Sequence, residues 1–202
     1  LRLARHQGAA GVDGQSVQRF AAQAERYLDE LAADLQAGRY QPADVRRTYI
    51  PKAGGGQRPL GIPTVKDRIV QGAVKRVLEP IFAWEFLDVS YGFRPGRGAK
   101  DALRAVDQLI KAGYTWVVDA DLKSYFDTIP HANLLEEVAA HLSDGHMLAL
   151  IQAYLEQGIL DGLQRWTPTQ GTPQGAVLSP LLANRYLHGL DARMSEQGYA
   201  IV

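Results

Sequence analysis

The chain has 202 residues, 46% of them hydrophobic and 22% charged, with 22 basic and 22 acidic side chains that cancel to zero net charge. That make-up excludes a disordered chain, a collagen and a coiled coil, and no run comes near the roughly 18 apolar residues of a membrane span. There is no cysteine, which excludes disulfide scaffolds, cysteine zinc sites and thiol catalysis, and LRLARHQGAAGVDG lacks the apolar core of a signal peptide, so the expectation is a soluble intracellular protein.

Ser16 reads as the N-cap of a first helix. Val17, Phe20, Ala21, Ala24, Leu28, Leu31 and Leu35 recur at helical spacing, and Gly38 follows as a stop. Tyr40 to Pro51 reads extended, Gly54 to Gly56 turns the chain, and Gln57 to Ile62 returns as a second strand. Thr64 opens a long helix with Ile69, Val70, Ala73, Val74, Val77 and Leu78 on one face, which Pro80 should kink or end. Tyr91 to Gly98 is a loop, and Ala99 to Ala112 is an amphipathic helix stopped by Gly113. Thr115 to Leu122 reads as a strand. Helices follow over 131–142 and 146–157, then a short hairpin over 159–169. A helix over 177–196 has Pro180 in its first turn, where proline is tolerated. Tyr199 to Val202 opens a further strand. The class is α+β, with helices outnumbering strands.

The zero net charge conceals an asymmetry. Residues 39–104 hold 13 basic and 6 acidic side chains, whereas residues 105–202 hold 5 basic and 11 acidic. Such segregation suggests a polyanion-binding region beside an acidic one suited to cations, or two solvated faces of opposite sign.

In TWVVDADLKSYFD, side chains alternate faces, so Asp119 and Asp121 share one, about 7 Å apart along a strand. Two carboxylates on one face repel. A hard divalent cation relieves that repulsion, and a solvated edge strand with capping carboxylates is the other reading. Asp127 reads as a plain cap before the helix at Pro130.

Lys52 and Arg58 flank a three-glycine turn. A point charge and a planar fork at one hairpin tip suit a triphosphate, although ordinary surface charges look the same. GFRPGRG, residues 92–98, places Arg94 and Arg97 among small residues. It suits either a nucleic-acid backbone, with Tyr91 or Phe93 available to stack, or an arginine-anchored turn. In GTPQGAVLSP, residues 171–180, Gln174 and Gly175 lie in a turn that opens a helix. Its free N–H groups suit a nucleotide or template backbone.

Taken together, these segments resemble a bacterial reverse transcriptase of the group II intron type. GAAGVDGQS, YIPKAGGGQRPLGIPTVKDRIVQ, SYGFRPGRGAKDAL, VVDADLKSYFDTIPH and GTPQGAVLSPLLANRYLHGLD follow the family's blocks in order. The resemblance implies a right-hand polymerase fold, with fingers over 1–104 and the first part of the palm over 105–202. It implies that Asp121 is the catalytic aspartate, and that it holds metal with the Leu122 backbone and Asp119. Phe126, five residues on, is then the steric gate at the sugar 2′ position. Ser124, Tyr125, Lys52, Arg58 and Gln174 would bind the nucleotide, and Arg94, Arg97 and Gly175 the RNA. The implied cofactor is Mg²⁺, two ions in the complete site, or Mn²⁺ in its place. The implied partners are an RNA template, a DNA or RNA primer, dNTP and group II intron RNA. The implied location is the bacterial cytoplasm, with no membrane and with a nucleoid association open. A maturase using the fold as an RNA-binding scaffold, and a defence- or CRISPR-associated reverse transcriptase, remain alternatives. The family's next motif, Tyr-Ala-Asp-Asp, is not within the sequence, which runs to GYAIV. Residues 1–202 alone are therefore expected not to extend a primer, and to self-associate through the palm edge or show a mobile C-terminal region.

Overall fold

The computed structural model describes residues 8–52 and 54–202. Half of the opening stretch LRLARHQGAAGVDG, residues 1–7, lies outside that range. Ser16 caps α1 (Val17–Ala21), its hydroxyl accepting from the Arg19 amide at 3.2 Å. The one helix expected through Leu35 is two, because Gln23, with φ −133° and ψ 33°, interrupts it before α2 (Ala24–Gln36). Across the break, Val17 and Phe20 of α1 bury against Val65, Ala24, Tyr27 and Leu28 of α2 pack on that same cluster, and Leu31 joins the main core.

β1 (Val45–Pro51) and β2 (Gln57–Ile62) form the expected antiparallel hairpin, from Arg46 opposite Ile62 to Pro51 opposite Gln57. Thr64 then caps α3 (Val65–Ala83), accepting from the Asp67 amide at 3.1 Å while its hydroxyl donates to the Asp67 carboxylate at 2.7 Å. Pro80 does not end this helix, which continues to Ala83. Leu78 and Phe82, both fully buried, anchor the chain on either side of the proline. Their packing outweighs the single hydrogen bond a proline removes.

α4 (Ala99–Lys111) is strongly amphipathic yet buries no residue, and Leu103 and Ile110 are exposed. After α5 (Tyr125–Thr128), α6 (His131–Ala139) and α7 (Gly145–Leu155) complete the core with α3. β3 (Ile159–Asp161) and β4 (Gln164–Trp166) pair antiparallel and join the first hairpin, Val45 lying opposite Ile159 in a parallel register. The sheet order is β2-β1-β3-β4, so the sheet links residues on both sides of position 104. α8 (Ser179–Glu196) carries Pro180 at its start. Arg185 of α8 is 5% exposed and pairs with Glu85 at 2.6 Å and Glu137 at 3.1 Å, tying α8 to the end of α3 and to α6.

Two expected strands are not formed. Residues 114–122 and 199–202 have no regular secondary structure. Trp116 is 94% and Val118 92% exposed. Valine and tryptophan favour strands only where a neighbouring strand takes up their backbone groups and covers their side chains. No described strand lies beside either segment. Among the described residues, no helix is long and apolar enough to cross a membrane.

Candidate functional site

The loop between β4 and α8 is stitched to three other segments. The Gly61 amide of β2 donates to the Gln174 carbonyl at 2.6 Å. The Thr172 amide donates to the Phe126 carbonyl at 2.6 Å, and that of Gly171 to Ile129 at 2.7 Å. The Val177 amide donates to the side chain of Gln71, a fully buried residue of α3, at 2.8 Å. Gly175 has φ +101°, and a Cβ there would lie 2.5 Å from the Gly61 carbonyl oxygen. Only glycine allows both that conformation and that approach.

These contacts close a cavity of about 540 Å³ lined by Lys52, Arg58, Leu60, Phe93, Phe126, Gln174, Gly175 and Ser179, among others. Four positions expected at a nucleotide, Lys52, Arg58, Phe126 and Gln174, therefore line one cavity, together with Gly175. Arg58 Nε donates to Gln174 Oε1 at 2.9 Å. The Gln174 amide in turn donates to both carboxylate oxygens of Asp127, each at 2.9 Å. This relay fixes which way the glutamine amide points: its oxygen faces the arginine and its nitrogen the carboxylate. Asp127, read from sequence as a helix cap, is the residue that sequence reasoning passed over. The signal available was its place directly after Phe126.

Ser124 has a left-handed backbone, with φ +54°, and its carbonyl accepts from the Asp127 amide at 2.8 Å. Tyr125 points away from the cavity. Its hydroxyl donates to the Ala183 carbonyl at 2.7 Å, and burial pushes its pKa up. The Leu122 carbonyl accepts from the Tyr125 amide at 3.2 Å, and Leu122 and Tyr125 line a separate cavity of about 320 Å³. Asp119 and Asp121 are exposed on the irregular segment. Among the described residues, no three His, Asp or Glu side chains converge as a metal cluster.

Arg94 donates to the carbonyls of Leu87 at 2.6 Å and Ser90 at 3.0 Å. Arg97 pairs with Asp88. Both guanidinium groups thus anchor their own loop, the second of the two readings open from sequence. That leaves less of either for a phosphate.

Residues 50–201 match the family model described as reverse transcriptase (RNA-dependent DNA polymerase). The chain is 43% identical to Protein YkfC of Escherichia coli over 192 residues, 93% of this chain and 50% of that protein. It is 42% identical to the group II intron-encoded protein LtrA of Lactococcus lactis over 168 residues, 83% of this chain and 28% of that one. A solved structure titled "Partial Cas6-RT-Cas1--Cas2 complex" covers 88% of this chain and 31% of its own, at 27% identity and a TM-score of 0.57. The chain spans half or less of the length of these relatives. An ordered set of motifs, a matching family model and a shared architecture lead to one conclusion: this chain belongs to the reverse transcriptase family.

Proposed function

We propose that residues 1–104 form the fingers, and residues 105–202 the first part of the palm, of an RNA-directed DNA polymerase of the group II intron type. Such an enzyme transfers nucleotides from dNTP to a primer 3′-hydroxyl on an RNA template. The observation that supports this reading is the cavity in which Lys52, Arg58, Phe126, Gln174 and Gly175 meet from three distant stretches of sequence. Lys52 and Arg58 bring positive charge to a triphosphate. Phe126 walls off the sugar 2′ position, and Gln174, held by Asp127, offers its fixed amide to the base pair. Ser124 and Tyr125 complete the nucleotide set by holding the turn beneath Phe126, while Arg94 and Arg97 shape the loop that meets RNA.

The family works with divalent metal ions. Asp121, Asp119 and the Leu122 carbonyl are hard oxygen donors, which suit Mg²⁺ or Mn²⁺. They would hold it with waters and substrate phosphates filling its remaining positions. When bound, the ion stabilises charge on the reacting oxygens. The chain's own share is positioning, which supplies much of the rate in phosphoryl transfer.

Primer extension on an RNA template by the full-length protein tests this reading. The expected result is Mg²⁺-dependent cDNA that Asp121→Asn abolishes, with none from residues 1–202 alone. The intron-encoded relatives favour a second reading, in which the fold serves chiefly as an RNA-binding maturase. Intron splicing without cDNA synthesis would select it.

A further inference from the structure

Phe93 and Ser124 are the two non-glycine residues with positive φ among those described, each at +54°. A bulky residue keeps a left-handed backbone only where its surroundings over-determine it. Here they do so on both sides. Asn184 Nδ2 donates to the Gly92 carbonyl at 2.7 Å. Arg94, next in the chain, is held by the Leu87 and Ser90 carbonyls. The Phe93 ring fills no core, being 66% exposed. It stands edge-on to Phe126 instead, with ring centroids 6.1 Å apart and planes at 85°. On another flank Phe126 meets Tyr125, with centroids 5.9 Å apart. Tyr125 is itself fixed by its bond to Ala183. Both phenylalanines line the cavity.

We propose that Phe93 is a positioning residue that fixes the Phe126 ring, and so sets how strictly the site rejects a ribose 2′-hydroxyl. This rests on the reading of Phe126 as the sugar gate. Tyr125 braces one flank of the gate from the core, and Phe93 braces it from the cavity. Truncating Phe93 leaves Phe126 free to change rotamer toward the open cavity, which makes room for the extra hydroxyl. Phe93 would act through Phe126 and need not touch the sugar itself.

The test is a double-mutant cycle in the full-length polymerase, read as the ratio of kcat/KM for dNTP and for the matching rNTP. Phe93→Ala is expected to lower that ratio about 3- to 10-fold, the size of one edge-on aromatic pair, mainly through a lower KM for rNTP. Phe93→Tyr, which keeps the ring edge, is expected to restore it. Phe126→Ala is expected to cost more, and Phe93→Ala is expected to add nothing on top of it, since its route is then gone. A second readout needs no activity. NMR of ring-labelled phenylalanine should show a Phe126 ring-current shift that Phe93→Ala abolishes and Phe93→Tyr keeps. If Phe126→Ala leaves the ratio unchanged, the gate reading falls and takes this inference with it. If Phe126→Ala lowers the ratio while Phe93→Ala does not, or the two effects add in full, Phe93 alone loses its role.

Discussion

The cavity wall and the acidic segment carry the two halves of the proposed chemistry, and they are built in opposite ways. At the cavity, the 171–178 loop takes backbone hydrogen bonds from β2 and gives them to the 126–129 turn, and a buried glutamine of α3 accepts from it. Every one of these partners lies within the described chain. The segment over 114–122 is bonded only at its ends among the described residues, Tyr114 to Leu109 and Leu122 to Tyr125; its valines and tryptophan are exposed, and its two aspartates sit on irregular backbone. A loop that is bonded along its length holds its side chains in place by itself. A strand holds them only when another strand lies alongside. The cavity wall is therefore pre-organised, whereas the carboxylates sit on backbone that no described strand holds.

Four outcomes would break or sharpen this contrast. The largest separates chemistry from stability. Asp121→Asn should abolish primer extension by the full-length protein, yet move the urea midpoint of residues 1–202 by no more than about 0.5 kcal/mol equivalent, as for other exposed substitutions. A large stability loss would show the segment to be packed. Next, Gly175→Ala should cost about 2–4 kcal/mol, because the new Cβ meets the Gly61 carbonyl in a backbone already left-handed. Gly72→Ala on α3 has open space around it and should be neutral or stabilising by about 0.5–1 kcal/mol. Equal effects at the two sites in chemical denaturation would refute the tight stitching of the loop.

The third outcome concerns pH. Asp67 is buried, and burial raises its pKa against the hydrogen bonds from Tyr40 and Thr64 that lower it. A raised folded pKa means that its contribution to stability is full below the unfolded value, near 3.9, and is lost as pH rises through the folded one. Wild type should therefore lose stability relative to Asp67→Asn as pH rises above about 4. A difference that stays constant as pH rises would contradict the assignment. The smallest effect belongs to Trp116→Ala. In residues 1–202 it should change the melting temperature by a degree or two at most, since a ring 94% exposed gives up little burial. A drop of several degrees would mean that the ring is covered, for instance by a second copy of the chain.

What was legible in the sequence follows the same division. The β1–β2 hairpin, the Thr64 cap, Pro180 and the gathering of Lys52, Arg58, Phe126 and Gln174 rest on local turn chemistry or on motif order, and both are written in short stretches. The break at Gln23 was not legible, because helical spacing runs straight through it. The reach of α3 past Pro80 depended on Leu78 and Phe82 being seated in the core, which a proline rule cannot see. The 115–122 segment has strand composition, but composition does not supply a neighbour. Asp127 was hidden because a carboxylate before a helix already has an ordinary explanation. The partner that gives it a second role, Gln174, lies far along the chain.

The parallel pairing of Val45 with Ile159 has a consequence for the order of events during synthesis. β1 and β2 are made together and pair at once, but the other edge of β1 waits until β3 leaves the ribosome. At about 5–20 residues per second, that edge stays open for several seconds, as an unpaired template of the kind that recruits stray strands. Arg46, Arg47, Lys52 and Arg58 fall on or beside this hairpin. Their shared positive charge disfavours pairing with a second copy while the nascent edge waits, as edge charges do in other sheets.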